Sequence, residues 1–311
     1  MCIRDRPAFI AATGGAWMHD VTVYRDGIMA VGVADDGWGF DLAVWTSANG
    51  TDWARIPASP AEAVGNQTAD AIVLTPDGPV VVGWADWPDG NGGLDALWSY
   101  STDGSAWLTA ISPEAGDQAM LDVAWVDGTL LAVGFDQEIE DGTFDRAGGG
   151  QDGAVWVSFD PSGPWTKVEP DFLVDDQIER IDGITAFGDT AVLVGGQEGP
   201  MDFDVAVWLW DFDGGLRPVE QDSFAVAGAE WLESVAVVDG LIVAVGRRVA
   251  TDGASFDLIA WSSTDGLVWE PVTVGTPPAP DERVVAATAA GRTIVVVGSA
   301  DGSAAVWTAV P

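Results

Sequence analysis

Ile242-Val243-Ala244-Val245-Gly246, "IVAVG", is an unbroken apolar run closed by a glycine, and it decides the fold because it recurs. The same figure returns as "IMAVG" to Gly32, "VVVG" to Gly83, "LLAVG" to Gly134, "VLVG" to Gly195 and "IVVVG" to Gly298, with glycine spacings of 51, 51, 61, 51 and 52 residues. A short turn precedes each run: Asp26-Gly27, Asp77-Gly78, Asp127-Gly128, Gly188-Asp189, Asp239-Gly240 and Gly291-Arg292. A tryptophan after an apolar residue follows each, at Trp45, Trp98, Trp156, Trp208, Trp261 and Trp307. Three landmarks agreeing in six registers make an internal repeat.

Each unit reads as four strands. The first alternates apolar and polar residues, as in "SVAVVDG" from Ser234, and the turn leads to the apolar run, a strand buried on both faces. A variable loop leads to the tryptophan strand, "DLIAWSS" from Asp257, and "VWEPV" from Val268 carries the fourth. Nowhere does a period of 3.6 persist. Four short strands in such a period form a β-propeller blade, which buries its faces only against neighbouring blades. The expectation is an all-β propeller of six four-stranded blades, with a seventh lost by truncation as the alternative. The units run roughly over 17–58, 68–112, 119–169, 179–220, 231–274 and 283–311 in one domain, 7–311. The last unit stops after its third strand, so residues Ala8 to Thr13 or a segment upstream are expected to complete it. The repeated tryptophan is expected to pack between blades, because packing layers repeat while ligand sites rarely do.

The opening Met1-Cys2-Ile3-Arg4-Asp5-Arg6 fits no register and resembles the translation of a sequencing-library adapter, so 1–6 is set aside from the fold, and with it the only cysteine. Acidic residues number 49 against 12 basic ones, a net charge of -37. Nucleic acid is excluded as a partner, since its recognition needs Lys and Arg to replace counterions. Cationic partners, metal ions or high ambient salt suit such a surface. No apolar run approaches the ~18 residues of a membrane span. With His19 the only histidine, a histidine triad or multi-histidine metal centre is not expected.

The segments Ser47-Ala48-Asn49-Gly50-Thr51-Asp52-Trp53, Ser101-Thr102-Asp103-Gly104-Ser105-Ala106-Trp107 and Ser263-Thr264-Asp265-Gly266-Leu267-Val268-Trp269 follow the tryptophan strands, with Ser158-Phe159-Asp160-Pro161-Ser162-Gly163-Pro164-Trp165 a looser version. They resemble the Asp box of sialidases, Ser-x-Asp-x-Gly-x-x-Trp, one residue shorter between Asp and Gly, and the chain resembles bacterial propellers built of such repeats. Asn49, Asp103, Asp160 and Asp265 are then structural: each accepts hydrogen bonds from turn N–H groups while Gly takes a positive φ. In that family the boxes lie opposite the catalytic face. The resemblance implies a bacterial extracellular or cell-surface protein. Sialidase catalysis would imply three arginines, a Tyr-Glu pair and an Asp acid; Arg55-Ile56-Pro57 resembles the family's Arg-Ile-Pro, but the repeat itself accounts for it ("TAISP" to Pro113, "TKVEP" to Pro170). No catalytic residue is assigned.

Function is therefore sought on the loops joining second to third and fourth to first strands, where the acidic residues collect. Candidate ligand-binding residues are Trp38, Trp84 and Trp87, aromatic faces for a sugar, beside the acceptors Asp86, Asp136, Glu138 and Glu140. Asp89, Asn91 and Asp95 place oxygens at alternate positions, as a calcium loop does, so Ca2+ is the one cofactor considered. A monomeric, non-catalytic binding or scaffold propeller is expected, its acidic loop face meeting a protein, cation or glycan. The alternative is a glycan-active hydrolase or lyase using loop-face carboxylates.

Overall fold

The computed structural model describes residues 15–35, 37, 39–56, 65–86, 93–112, 116–137, 152–168, 170–173, 178–199, 202–250, 253–273 and 281–310. Their strands form six antiparallel sheets. Blade one holds β1 (Ala16–Tyr24), β2 (Gly27–Asp35), β3 (Phe40–Ser47) and β4 (Trp53–Arg55); blade two holds β5 (Asn66–Thr75), β6 (Gly78–Asp86), β7 (Leu94–Tyr100) and β8 (Leu108–Ile111). Blade three holds β9 (Asp117–Val126), β10 (Thr129–Gln137), β11 (Asp152–Ser158) and β12 (Thr166–Val168); blade four holds β13 (Glu179–Phe187), β14 (Thr190–Glu198), β15 (Phe203–Asp211) and β16 (Gly215–Pro218). Blade five holds β17 (Glu230–Val238), β18 (Leu241–Val249), β19 (Phe256–Ser263) and β20 (Glu270–Pro271), and blade six the three strands β21 (Arg283–Ala290), β22 (Thr293–Ala300) and β23 (Ser303–Ala309). The fold is the expected all-β propeller of six blades. Residues Ala8 to Thr13 lie outside the described residues.

The chain divides near β11 and β12 into two compact units, the first built on blades one to three and the second on blades four to six. In the second unit the apolar run of β18 shows why it is unbroken. Ile242 and Ala244 face blade four, packing with Val192, Val207 and Leu232, while Val243 and Val245 face blade six, packing with Val284 and Val296. A strand between two neighbours has no wet face, and each such side chain contributes roughly 1.5–3 kcal/mol on burial. In the first unit, Val31 of blade one and Val81 of blade two share a core in the same way. Trp261 lies in the core joining blades four and five, its ring edge-to-face with Phe224 at 5.3 Å. Trp98 of blade two meets Trp165 of blade three at 6.4 Å. Trp307 packs against the core shared by blades five and six, whereas the residues clustered around the buried Trp45 all belong to blade one.

The repeat's glycine has a single cause. Each first strand bulges by one residue where it pairs with that glycine, at Met18/Asp20, Ala69/Ala71, Ile181/Gly183, Leu232/Ser234 and Val284/Ala286, and likewise opposite Gly134. The bulge turns a backbone oxygen toward the second strand. A β-carbon on Gly32, Gly83, Gly134, Gly195, Gly246 or Gly298 would lie 1.7–2.1 Å from that oxygen, closer than any atom tolerates. The first strand is the edge of its sheet, and outward N–H groups on it are taken up by the adjoining blade: Ile72 N donates to Asp20 Oδ2 at 2.8 Å, and Ala287 N to Ser234 Oγ at 2.9 Å.

The turns differ in one detail from their sequence register. Asp127-Gly128 and Asp239-Gly240 are the two turn residues, both with positive φ. In blades one and two the turn sits one residue earlier, on Arg25-Asp26 and Pro76-Asp77, so Gly27 and Gly78 open the second strand. There a β-carbon would come within 2.5 Å of Ser47 O and 2.0 Å of Ser101 O, respectively. Glycine is required there by the neighbouring strand.

Candidate functional site

The box hairpins form as drawn from sequence. Asp265 Oδ1 accepts from Leu267 N at 2.8 Å and Val268 N at 3.0 Å, Ser263 Oγ accepts from Gly266 N at 2.9 Å, and Trp269 Nε1 closes the turn on Gly266 O at 3.0 Å. Asp103 and Asn49 repeat the pattern on Ser105 and Ala106, and on Thr51 and Asp52. Asp160 bonds both N and Oγ of Ser162. Hydrogen bonds hold the Asp103, Asp160 and Asp265 carboxyls below the usual range. All these oxygens serve their own turns.

Chemistry collects at the other end of the sheets, in the second unit. Asp182 and Glu233 are bulge residues of β13 and β17, between Ile181 and Gly183 and between Leu232 and Ser234. Arg180 Nη2 donates to Asp182 Oδ1 at 2.7 Å, and Arg247 Nη2 lies 2.6 Å from Glu233 Oε1, which also accepts from Trp231 Nε1 at 3.3 Å. The Arg247 guanidinium lies over the Trp231 and Phe256 rings at 4.7 and 4.9 Å, and Arg283 covers Phe256 at 4.7 Å. Phe203, Trp231 and Phe256 form an edge-to-face chain at 6.3 and 5.9 Å. Beside it Arg248 pairs with the buried Glu230 at 3.2 Å, and Arg283 with Asp281 at 3.2 Å. Each of these four arginines has its own carboxylate.

Burial pushes the Asp182 carboxyl up against the pull of Arg180, and pushes Glu233 up against Arg247, with Asp182 adding to the rise. Asp182 Oδ2, Glu233 Oε2 and Arg247 Nε have no hydrogen-bond partner. All three atoms are buried, so the network is closed around them. In blade four a cleft of about 690 Å³ follows the edge of β15, between Asp204–Val207 and the segment Pro218–Ala225, with Glu198, Asp204, Glu220 and Asp222 among its walls. That size is in the range that encloses a small organic ligand. Burial, then Asp202, raises the Asp204 carboxyl; burial also raises Glu230 against Arg248, with Asp204 and Asp202 adding to the rise.

The residues singled out in the sequence are placed differently. Trp38, Trp87, Glu138, Glu140, Asp89 and Asn91 lie outside the described residues. Asp86 is half-buried and accepts from Asn66 Nδ2 at 3.2 Å, while Asn66 Oδ1 takes the N–H of Phe40 at 3.0 Å. Trp84, half-buried on β6, stands across from Thr68. Asp136 is buried, with one oxygen paired to Lys167, the only lysine. Asp95 is half-buried on β7. Among the described residues no group of three His, Cys, Asp or Glu side chains is arranged to hold a metal ion. Arg55 lies on the outer strand β4, exposed. Arg180, Asp182, Trp231 and Glu233 had no place among the sequence candidates, which were sought on loops.

No family model and no curated protein matches the sequence. Solved structures do. The chain is similar to an α-L-arabinanase of Penicillium chrysogenum complexed with arabinobiose, at 11% identity and a TM-score of 0.54, over 99% of this chain and 96% of that one. It is similar to a six-bladed fungal lectin of Aleuria aurantia that recognises fucose, at 15% identity and TM-score 0.53, over 94% and 91% of the two chains. A sialidase of Trypanosoma rangeli in complex with sialic acid aligns at 12% identity and TM-score 0.53, over 95% of this chain and 54% of that one. At such identities the shared property is the propeller fold. No helix among the described residues is long and apolar enough to cross a membrane.

Proposed function

We propose that this chain is a non-catalytic, extracytoplasmic glycan-binding propeller that takes a neutral sugar at the loop end of blades four and five. The observation carrying this is the network of Trp231, Phe256, Arg247 and Glu233, where aromatic rings, a flat-held guanidinium and a carboxylate meet at one end of the sheets. Ring edges beside the guanidinia offer apolar contact to a pyranose or furanose, and the guanidinium N–H groups donate to its hydroxyls. Because each of the four arginines is matched by a carboxylate, no net positive charge remains to hold an acidic sugar. The structural similarity to an arabinobiose-bound arabinanase and a fucose-recognising lectin supports the class of ligand.

The test is affinity electrophoresis of the chain in gels containing arabinan, xylan or a fucosylated glucan, with Trp231→Ala and Arg247→Met alongside. The expected result is retardation of the wild type by at least one polymer and its loss in both variants. Equal mobility of wild type and variants in every gel would overturn the assignment. The second reading, hydrolysis, is favoured by the raised carboxyls of Asp182 and Glu233, a pair suited to hold a proton for an acid. Release of reducing ends that disappears in Glu233→Gln would establish it instead.

A further inference from the structure

Blade one repeats the aromatic part of this site without the two arginines that cover it. The residue before the bulge partner is Trp17 in blade one and Trp231 in blade five, and the first residue of the third strand is Phe40 in one and Phe256 in the other. The ring pairs match: Trp17 and Phe40 meet edge-to-face at 5.7 Å and 70°, Trp231 and Phe256 at 5.9 Å and 79°. In blade five Arg247, across from Trp231, and Arg283, on the first strand of the next blade, cover these rings. The same two registers in blade one hold Val33, across from Trp17, and Thr68. Among the described residues no arginine covers the rings there, and Trp17 is 42% and Phe40 40% exposed. Polar groups flank them. Asp35 stands across from Phe40, and Asn66, itself held by Asp86, fixes the Phe40 backbone.

We infer that the Trp17–Phe40 pair is a second sugar-binding site, taking a neutral sugar ring by stacking, so that each chain carries two sites of unequal polarity. An exposed aromatic pair on a rigid strand end is preorganised for stacking, and Asp35 and Asp86 accept from hydroxyls at its rim. The bare site discriminates less among sugars than the charged one, because fewer hydrogen bonds fix orientation. The inference rests on the glycan assignment above, and one experiment separates the two.

The full chain, Trp17→Ala, Phe40→Ser, Trp231→Ala and the Trp17→Ala/Trp231→Ala double variant are depleted from solution onto insoluble arabinan, xylan and cellulose. Near-ultraviolet circular dichroism confirms that each is folded. Two sites on one chain act together on a polymer, so each single variant is expected to lose about tenfold in apparent affinity and the double variant all binding. If Trp17→Ala and Phe40→Ser deplete as the wild type does while Trp231→Ala does not bind, the second site is refuted and the glycan assignment stands. If the wild type depletes onto none of the polymers, the glycan assignment falls and the second site with it.

Discussion

The side-chain amide of Gln221 pairs with both backbone groups of Trp269, donating from Nε2 to the carbonyl oxygen at 2.8 Å and accepting the N–H on Oε1 at 2.8 Å. An amide is the side chain that imitates a strand edge, and here it joins the segment after blade four to the box hairpin of blade five. Trp269 is 2% exposed, so its backbone has no easy recourse to water if the amide is removed. Gln221→Ala should cost about 1–3 kcal/mol in urea unfolding, and Gln221→Glu, which loses the donor, a similar amount. Unchanged midpoints in both variants would show that the pair contributes nothing net.

The repeat glycine makes a sharper prediction. Gly246→Ala would set a methyl 2.0 Å from Trp231 O and 2.6 Å from Leu232 Cα, so the bulge carrying Glu233 must shift. The expected loss is about 3 kcal/mol or more, accompanied by loss of sugar retardation, because Trp231 and Glu233 move with the backbone. Gly240→Ala is the control: it has φ +80 but nothing within 4 Å, so only the left-handed backbone opposes the change, at about 1 kcal/mol. Equal effects of the two substitutions would contradict the bulge as the cause of the repeat.

That glycine is also why the fold was legible in the sequence. A bulge in the first strand leaves no mark of its own in an alternating pattern, but the residue facing it must be glycine, and six glycines at even spacing announce six bulges. The site was less legible for the same reason. Asp182 and Glu233 are the extra residues of their bulges, so they escape the alternation that tells inside from outside, and "ERID" and "EWLE" pass for ordinary strand starts. Carboxylates are so abundant in the loops that their presence there carries little information about a site. The discriminating signal was scarcity: in a chain with 12 basic residues, Arg180, Arg247, Arg248 and Arg283 gather at strand ends in blades four to six.

Salt should stabilise the chain. A net charge of -37 repels itself in the folded state more than in the expanded one, and screening relieves that repulsion. Melting temperature is expected to rise between about 0.1 M and 2 M NaCl, where the Debye length shortens from roughly 10 Å to less than 3 Å. A fall over that range would show that the surface ion pairs, such as Arg292 with Asp239 at 3.4 Å, outweigh the repulsion.

Mild acid should stabilise it as well, and the sign follows from which groups are shifted. Burial raises the carboxyls of Asp20, Asp182, Asp204, Glu230 and Glu233, against opposing N–H bonds at Asp20 and opposing arginines at Asp182, Glu230 and Glu233. His19 is raised too: burial works against its charge, but its Nδ1 hydrogen bond to Asp70 and the nearby Ala69 carbonyl prevail. A group held higher in the folded state binds protons there that the unfolded chain does not, so stability falls as pH rises through the raised value. Cooling the pH from 8 toward the ordinary carboxylate range of about 4 should therefore raise the urea midpoint, first through His19 and then through the buried carboxyls. The box aspartates act oppositely and lower down. Asp103, Asp160 and Asp265 are held below the ordinary value, so their contribution is intact above about pH 4 and is lost beneath it. The midpoint should peak between about pH 4 and 5. The double variant Asp182→Asn/Glu233→Gln should flatten the rise while leaving the acid limb in place, which general relief of charge repulsion would not do. A wild-type maximum at neutral pH would refute the assignment of the rise to the raised groups, and a double variant with an unaltered slope would refute the share of Asp182 and Glu233 in it.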